Sequence, residues 1–448
     1  MFARRLTFLF AAAILLSAAR AGSAQDFFLK KGDVVVMMGD SITEQRLYST
    51  YVEIWSQTRF PQYNLVFRNV GIGGDTSGGG NGRFKRDVLT HKPTVLTVDF
   101  GMNDGGYIWP GKIQEIKNPK TKEVTKKEFT AADVDARLKN YLKGQQGIAD
   151  QAKAAGIRVA WITPQPVESK PGDAFEKYND TLEKFSMGLG DIAKSNGGLF
   201  VDQFHPYWAV VKKARDAGEK GRITGGDAVH PGSPGQALMA ASILKALNFP
   251  RDVSYVSITV NPTMATFVTV NRGCAVSKEA LTDGGVKFQY KGDVLPFFPE
   301  QANSILKWTP LLEDMNEYTL KVNGLKAGKY DVNLGGKKVA TYTDAELGKG
   351  VNLAAAALAA GPIADQVKEV VKAITDKTNY QFDQIYAPLV LQRNIAKNPD
   401  FKDVAKADIA KRRDALIAER MEKMPALDAA IRKALEPRSH LVEIVPAK

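Results

Sequence analysis

A chain of 448 residues, 44% apolar and 25% charged, is long enough for two or three domains with large cores. Its net charge of +12 falls to +9 without Arg4, Arg5 and Arg20, and the excess is spread out with no basic patch interleaved with aromatics, which argues against nucleic-acid binding. Cys274 stands alone, which excludes an intrachain disulfide, and no Cys/His cluster offers a metal site.

Arg4-Arg5 precede an apolar run over 6–16 that is short for a membrane span. Small residues follow at Ala21-Gly22-Ser23-Ala24. This is the pattern of a signal peptide over 1–24, and it predicts a secreted or periplasmic protein with no integral span after cleavage.

After the leader, strand and helix patterns alternate. Strands are expected over 33–38, 64–69, 93–100, 157–163 and 199–202. Helices are expected over 42–55, from 84, and over 131–155, 175–196, 207–217 and 235–247. Glycine-rich turns fill 71–82, and a polar insert spans 106–130 with a hairpin turn at Asn118-Pro119-Lys120. Alternation of this kind predicts an α/β domain over 25–250 with a doubly wound parallel sheet. The texture changes at Pro250. A β-rich accessory segment is expected over 251–344, with a hairpin turned at Gly335-Gly336. A helical C-terminal region is expected over 345–448.

Four loops at strand ends carry the residue types that acyl transfer needs. Ser41 follows the first strand and is a weak nucleophile until a base takes its proton. His230 is the natural base, and Asp227, three residues earlier, is placed to orient its imidazole. The backbone N–H groups of Ser41 and Gly74 and the side-chain amide of Asn103 supply three donors for an oxyanion hole. Metal-assisted deacetylation would need clustered His and Asp ligands, and the four histidines are widely separated. The glycines near 71 lack dinucleotide-fingerprint spacing.

Gly39-Asp40-Ser41-Ile42, Asn69-x-Gly71-x-Gly73-Gly74-Asp75-Thr76, Gly101-Met102-Asn103-Asp104 and Asp227-x-x-His230-Pro231 resemble, in order, the four blocks of the SGNH hydrolase superfamily, the GDSL-type esterases and lipases. The resemblance covers about half of the chain, with Ile42 where leucine is usual. It implies a flavodoxin-like three-layer α/β/α domain, Ser-His-Asp catalysis and no cofactor. It makes Ser41, His230 and Asp227 catalytic and Ser41, Gly74 and Asn103 the oxyanion hole.

The insert follows the Asn103 block at once and is expected to overhang the site, with Tyr107, Ile108 and Trp109 lining it for substrate binding. Its lysines favour a polar acyl ester, such as an acetylated polysaccharide or peptidoglycan. A broad lipase or short-chain esterase, or a catalytically idle surface-binding protein on the same fold, are the alternatives.

Overall fold

The computed structural model describes residues 26–447 except 118, 120, 262, 264, 265 and 396, so the expected leader over 1–24 lies outside it. The α/β domain contains β1 (Val34–Gly39), β2 (Val66–Asn69), β3 (Val95–Asp99), an outlying hairpin of β4 (Ile113–Lys117) and β5 (Val124–Glu128), β6 (Arg158–Ile162) and β7 (Leu199–Val201). Its helices are α1 (Ser41–Glu44), α2 (Leu47–Arg59), α3 (Ser77–Asp87), α4 (Ala131–Ala154), α5 (Tyr178–Ser195), α6 (Phe204–Asp216) and α7 (Ser233–Ala246).

The main sheet runs β2-β1-β3-β6-β7, with every pair parallel. With the hairpin set aside this is the flavodoxin-like order, which places ligands at the carboxyl ends of the strands. β1 is apolar throughout because both faces are covered. Val35 and Met37 pack with Tyr48, Trp55 and Ile243 of α2 and α7. Val36 and Met38 pack with Phe84, Tyr141 and Phe185 of α3, α4 and α5. The three-layer arrangement is therefore written into alternate residues of one strand.

The accessory region adds β8 (Asp252–Asn261), β9 (Thr266–Arg272), β10 (Cys274–Leu281), β11 (Val286–Gly292), a 3₁₀ segment (Glu300–Lys307), α8 (Leu311–Met315), β12 (Glu317–Asn323), β13 (Lys329–Leu334) and β14 (Lys337–Thr343). α9 (Asp344–Lys349), β15 (Val351–Asn352), α10 (Ala354–Ala359) and α11 (Pro362–Tyr380) follow. α11 runs on through a π-helical turn, Gln381–Tyr386. Helices Ile409–Met421 and Met424–Ala434 lead to β16 (Ser439–Pro446). The strands form two sheets, β15-β12-β8-β9 and β10-β11-β16-β13-β14.

Both accessory sheets share one continuous core with the α/β domain: Ile258, Phe288 and Val332 belong to the same cluster as Trp55 and Ala237. Arg59, at the end of α2, is buried and donates to the carbonyls of Pro250, Asp252 (2.9 Å) and Met315 (3.3 Å). The accessory region is thus fastened to the α/β domain by backbone acceptors as well as by apolar area.

Three elements differ from the sequence expectations. The 42–55 helix is broken: Arg46 takes a left-handed φ of 64°, which separates α1 from α2. α3 starts at Ser77, inside the glycine-rich stretch expected to be a turn. Thr76 caps it, and the Asp104 carboxylate accepts from the Ser77 N–H at 3.0 Å. These caps outweigh the poor helix propensity of Gly78, Gly79 and Gly80. The region expected to be helical ends in a strand, β16, whose Val442 and Ile444 are buried while their neighbours are not. Leu441-Val442 and Ile444-Val445 fall in pairs, without the strict alternation of a half-buried strand, and carry little signal beside the long helices before them.

Candidate active site

β1 ends at Gly39 because nothing larger fits: a Cβ there would lie 2.1 Å from Thr43 Oγ1 and 2.6 Å from the Asp99 carbonyl. The chain then turns through Asp40, whose carboxylate accepts from the Ile42 N–H at 3.0 Å and caps α1. Ser41 is the first residue of α1, so its own N–H has no intrahelical acceptor.

Across the sheet edge, the loop before α7 brings His230 to Ser41. His230 Nε2 is 2.9 Å from Ser41 Oγ, and His230 Nδ1 is 3.1 Å from Asp227 Oδ2. With its proton on Nδ1, the imidazole leaves Nε2 free to accept from the serine. The other oxygen of Asp227 accepts from the N–H groups of Val229 and His230, both at 2.7 Å. Burial opposes its charge, but these donors prevail and hold the carboxyl below its ordinary value. Asp227 therefore presents a fixed negative charge to the ring.

Gly74 has a φ of +77°, and no atom lies within 4 Å of where its Cβ would stand. The space beside it is open, as close approach of a ligand to backbone requires. Asn103 donates from Nδ2 to the Asp75 carbonyl at 3.0 Å and, more weakly, to Asp40 Oδ2 at 3.3 Å. The second bond is long enough for a better acceptor to displace it.

Tyr107 is half-buried, and its hydroxyl donates to Asn103 Oδ1 at 2.8 Å, which fixes the amide with its nitrogen toward Asp40 and Asp75. Its φ of 57° is costly for a tyrosine, and Lys112 Nζ on its carbonyl at 2.5 Å helps hold it. Trp109 lies behind it, 8% exposed and edge-on to Phe175. Ile108 turns away, into a small cluster with Phe129 and Val134. Of the three residues expected to line the site, Tyr107 thus reaches it directly and Trp109 supports the wall. Tyr107→Phe should lower kcat roughly tenfold, the worth of one neutral hydrogen bond, with KM little changed. Steady-state kinetics with an equal rise in KM instead would assign Tyr107 to ground-state binding.

Several supporting residues escaped the sequence reading. Arg83 of α3 pairs with Asp75 at 2.7 Å and Asp87 at 3.1 Å, and donates to the carbonyls of Val70 (2.6 Å) and Gly39 (3.1 Å). One guanidinium thus ties the nucleophile turn to the Gly74 loop. Tyr386, from the π-helical turn, shares the Val70 carbonyl at 2.9 Å, so the C-terminal region reaches this support. The Arg83–Asp87 spacing of four residues on α3, with Asp75 just before the helix, is the local trace of it. Beneath the turn, burial, with Asp104 and Asp75 nearby, pushes the Asp40 carboxyl up to about 7. Burial likewise raises Asp104 to about 6 and Asp99 well above its usual range. Among the described residues, no group of three or more His, Cys, Asp or Glu is arranged to hold a metal ion.

A parallel-sheet edge carrying serine, histidine and aspartate in hydrogen-bonded sequence, beside an open glycine turn and an asparagine, defines a class of serine hydrolase. Residues 37–238 match the model of the GDSL-like Lipase/Acylhydrolase family. That stretch of the α/β domain is similar to this family, within the SGNH hydrolase superfamily, and the protein is a carboxylic ester hydrolase. An acetylxylan esterase from Geobacillus stearothermophilus is 23% identical over 233 residues, 49% of this chain and 95% of that protein. A gut microbial diltiazem-metabolizing enzyme shares the fold over 94% of this chain and 98% of its own, at 24% identity and a TM-score of 0.74. The accessory sheets and C-terminal helices thus recur with the α/β domain in another enzyme.

Proposed function

We propose that this esterase removes short acyl groups, acetyl foremost, from O-acylated carbohydrate through a Ser-His-Asp acyl-enzyme. The observation that carries it is the relay from Ser41 Oγ to His230 Nε2 (2.9 Å) and from His230 Nδ1 to Asp227 (3.1 Å). Ser41 Oγ attacks the ester carbonyl carbon while His230 Nε2 takes its proton. The charge on the carbonyl oxygen is met by the N–H groups of Ser41 and Gly74 and by Asn103 Nδ2, which gives up Asp40. Collapse breaks the bond to the alcohol oxygen, which leaves with the proton from His230. A water deprotonated by His230 then attacks the acyl-serine, and His230 returns that proton to Ser41 Oγ as the bond to the acyl carbon breaks; the product leaves as the carboxylic acid, which ionises in solvent.

The lysine-rich insert and the acetylxylan esterase relative support a carbohydrate substrate. Arg4-Arg5, the apolar run over 6–16 and Ala21-Gly22-Ser23-Ala24 support export to the periplasm or the medium, where such substrates lie. Among the described residues no helix is long and apolar enough to cross a membrane.

Acetate release from acetylated xylan, pectin and peptidoglycan, measured beside a chain-length series of simple esters, tests the reading. Acetyl esters should be hydrolysed fastest, with at least one polymer deacetylated. Preference for long acyl chains would replace it with a lipase. No turnover of any ester would leave a surface-binding protein.

A further inference from the structure

A cavity of about 710 Å³ opens between α2, the 3₁₀ segment Glu300–Lys307 and α11. One end is built by the two catalytic loops. Gln45 follows α1, and its N–H donates to the Ser41 carbonyl at 3.0 Å. Ser233, three residues after His230, lines the same end together with Tyr51. Gln236 joins these loops by donating to Gln45 Oε1 at 2.5 Å and to the Pro231 carbonyl at 3.1 Å. Ser41 itself does not line the groove, which starts at Gln45, one helical turn along α1 from it.

Its chemistry changes along its length. Beside the catalytic loops the walls are polar, with Gln45, Arg46 and Ser233. Away from them Tyr51, Ile54, Phe298, Leu358, Val367 and Val371 make an apolar patch, with Thr50, Gln301, Thr375 and Asn379 among it. Lys368 and the Lys372–Asp376 pair (2.6 Å) also belong to it, exposed on α11. An acetyl group needs a small fraction of this volume, so the groove suits the alcohol half of an ester. The apolar patch gains most from an apolar group, which a bare polysaccharide does not carry. An alcohol with a polar head and an apolar tail matches both parts.

We propose that this groove is an aglycone subsite: it takes the aliphatic or aromatic tail of an O-acylated glycoside whose sugar presents the acyl group to Ser41. The proposal rests on the O-acylcarbohydrate reading above and narrows it to amphiphilic glycosides. It also gives the accessory region a part in selection, since Phe298, Leu358 and α11 are contributed by residues after Pro250.

The test compares 6-O-acetyl octyl glucoside with 6-O-acetyl methyl glucoside, both below the micellar range, on the full chain. The octyl ester should have at least about a tenfold higher kcat/KM, from seven methylenes partly removed from water. Octyl glucoside itself should inhibit competitively and bind by calorimetry, while methyl glucoside should not. Val371→Glu, at a half-buried position of α11, should bring the ratio of the two kcat/KM values toward one and abolish octyl glucoside binding. Equal kcat/KM for the two esters with no binding of octyl glucoside overturns the subsite and leaves the esterase reading intact. An octyl advantage that persists in Val371→Glu also overturns it. Failure to hydrolyse either ester, with octyl glucoside binding that Val371→Glu abolishes, condemns the carbohydrate reading and upholds the groove as a site for apolar tails. The inhibition and calorimetry on the unaltered chain decide the matter even if the variant does not fold.

Discussion

His230→Ala lowers kcat for acetate esters by roughly 10⁴- to 10⁶-fold while leaving the unfolding midpoint near that of the parent. The expectation follows from placement. His230 is partly exposed on a loop and its ring contacts are polar, so truncation opens no buried cavity. What disappears is the acceptor 2.9 Å from Ser41 Oγ. Ser41→Ala removes the same step from the other side, so the double variant should be about as slow as either single one. Losses that multiplied in the double variant would mean that the two residues act independently, and the relay would have to be abandoned. Ester hydrolysis followed beside a urea melt measures both halves of the expectation.

The second large effect concerns stability. Lys377 of α11 and Glu53 of α2 are 1% and 4% exposed at their side chains, with Nζ 2.6 Å from both carboxylate oxygens. Lys377 also donates to the Phe67 carbonyl at 3.2 Å. Close by, Arg68 of β2 meets Asp428 of helix Met424–Ala434 at 2.9 Å, again buried. Burial pushes the Glu53 carboxyl up and the Lys377 amine down, so each charge depends on the other. Lys377→Met should cost about 3–5 kcal/mol in urea unfolding, because Glu53 is left buried without its cation. Glu53→Leu combined with Lys377→Met should return to within about 1 kcal/mol of the parent, or exceed it. A single variant that loses less than about 1 kcal/mol would show that water reaches this joint.

The α/β domain was legible because its signals are local and redundant. β1 reads as apolar at every position since both faces are covered, and each chemistry-bearing residue stands next to a strand end or a helix start. Thr130 and Asp133 announce the start of α4 with a reciprocal cap, and Gly335-Gly336 turns the β13–β14 hairpin as its composition demands. The supports were hidden because they are long-range. Arg83 is one basic residue among many until Asp75, Val70 and Gly39 converge on it. Tyr386 lies 316 residues from the carbonyl it contacts. β10 carries a weak strand signature for another reason: Lys278, with a left-handed φ of 57°, interrupts its alternation at a bulge. The groove beside the serine needs α2 and α11 together, and neither helix declares it alone.

β16 occupies the middle of its sheet, antiparallel to β11 on one side and to β13 on the other. Without it, β10–β11 and β13–β14 are two separate hairpins, each with an unpaired edge. The order of events in biosynthesis follows. The five parallel strands that carry the catalytic loops are complete once residue 201 has been made, whereas the second sheet waits for residues 439–446. For as long as the segment between them is being made, the nascent chain holds two open strand edges. The stretch that seals them is distant in sequence from both partners, which makes closure slow and a natural point for chaperone engagement.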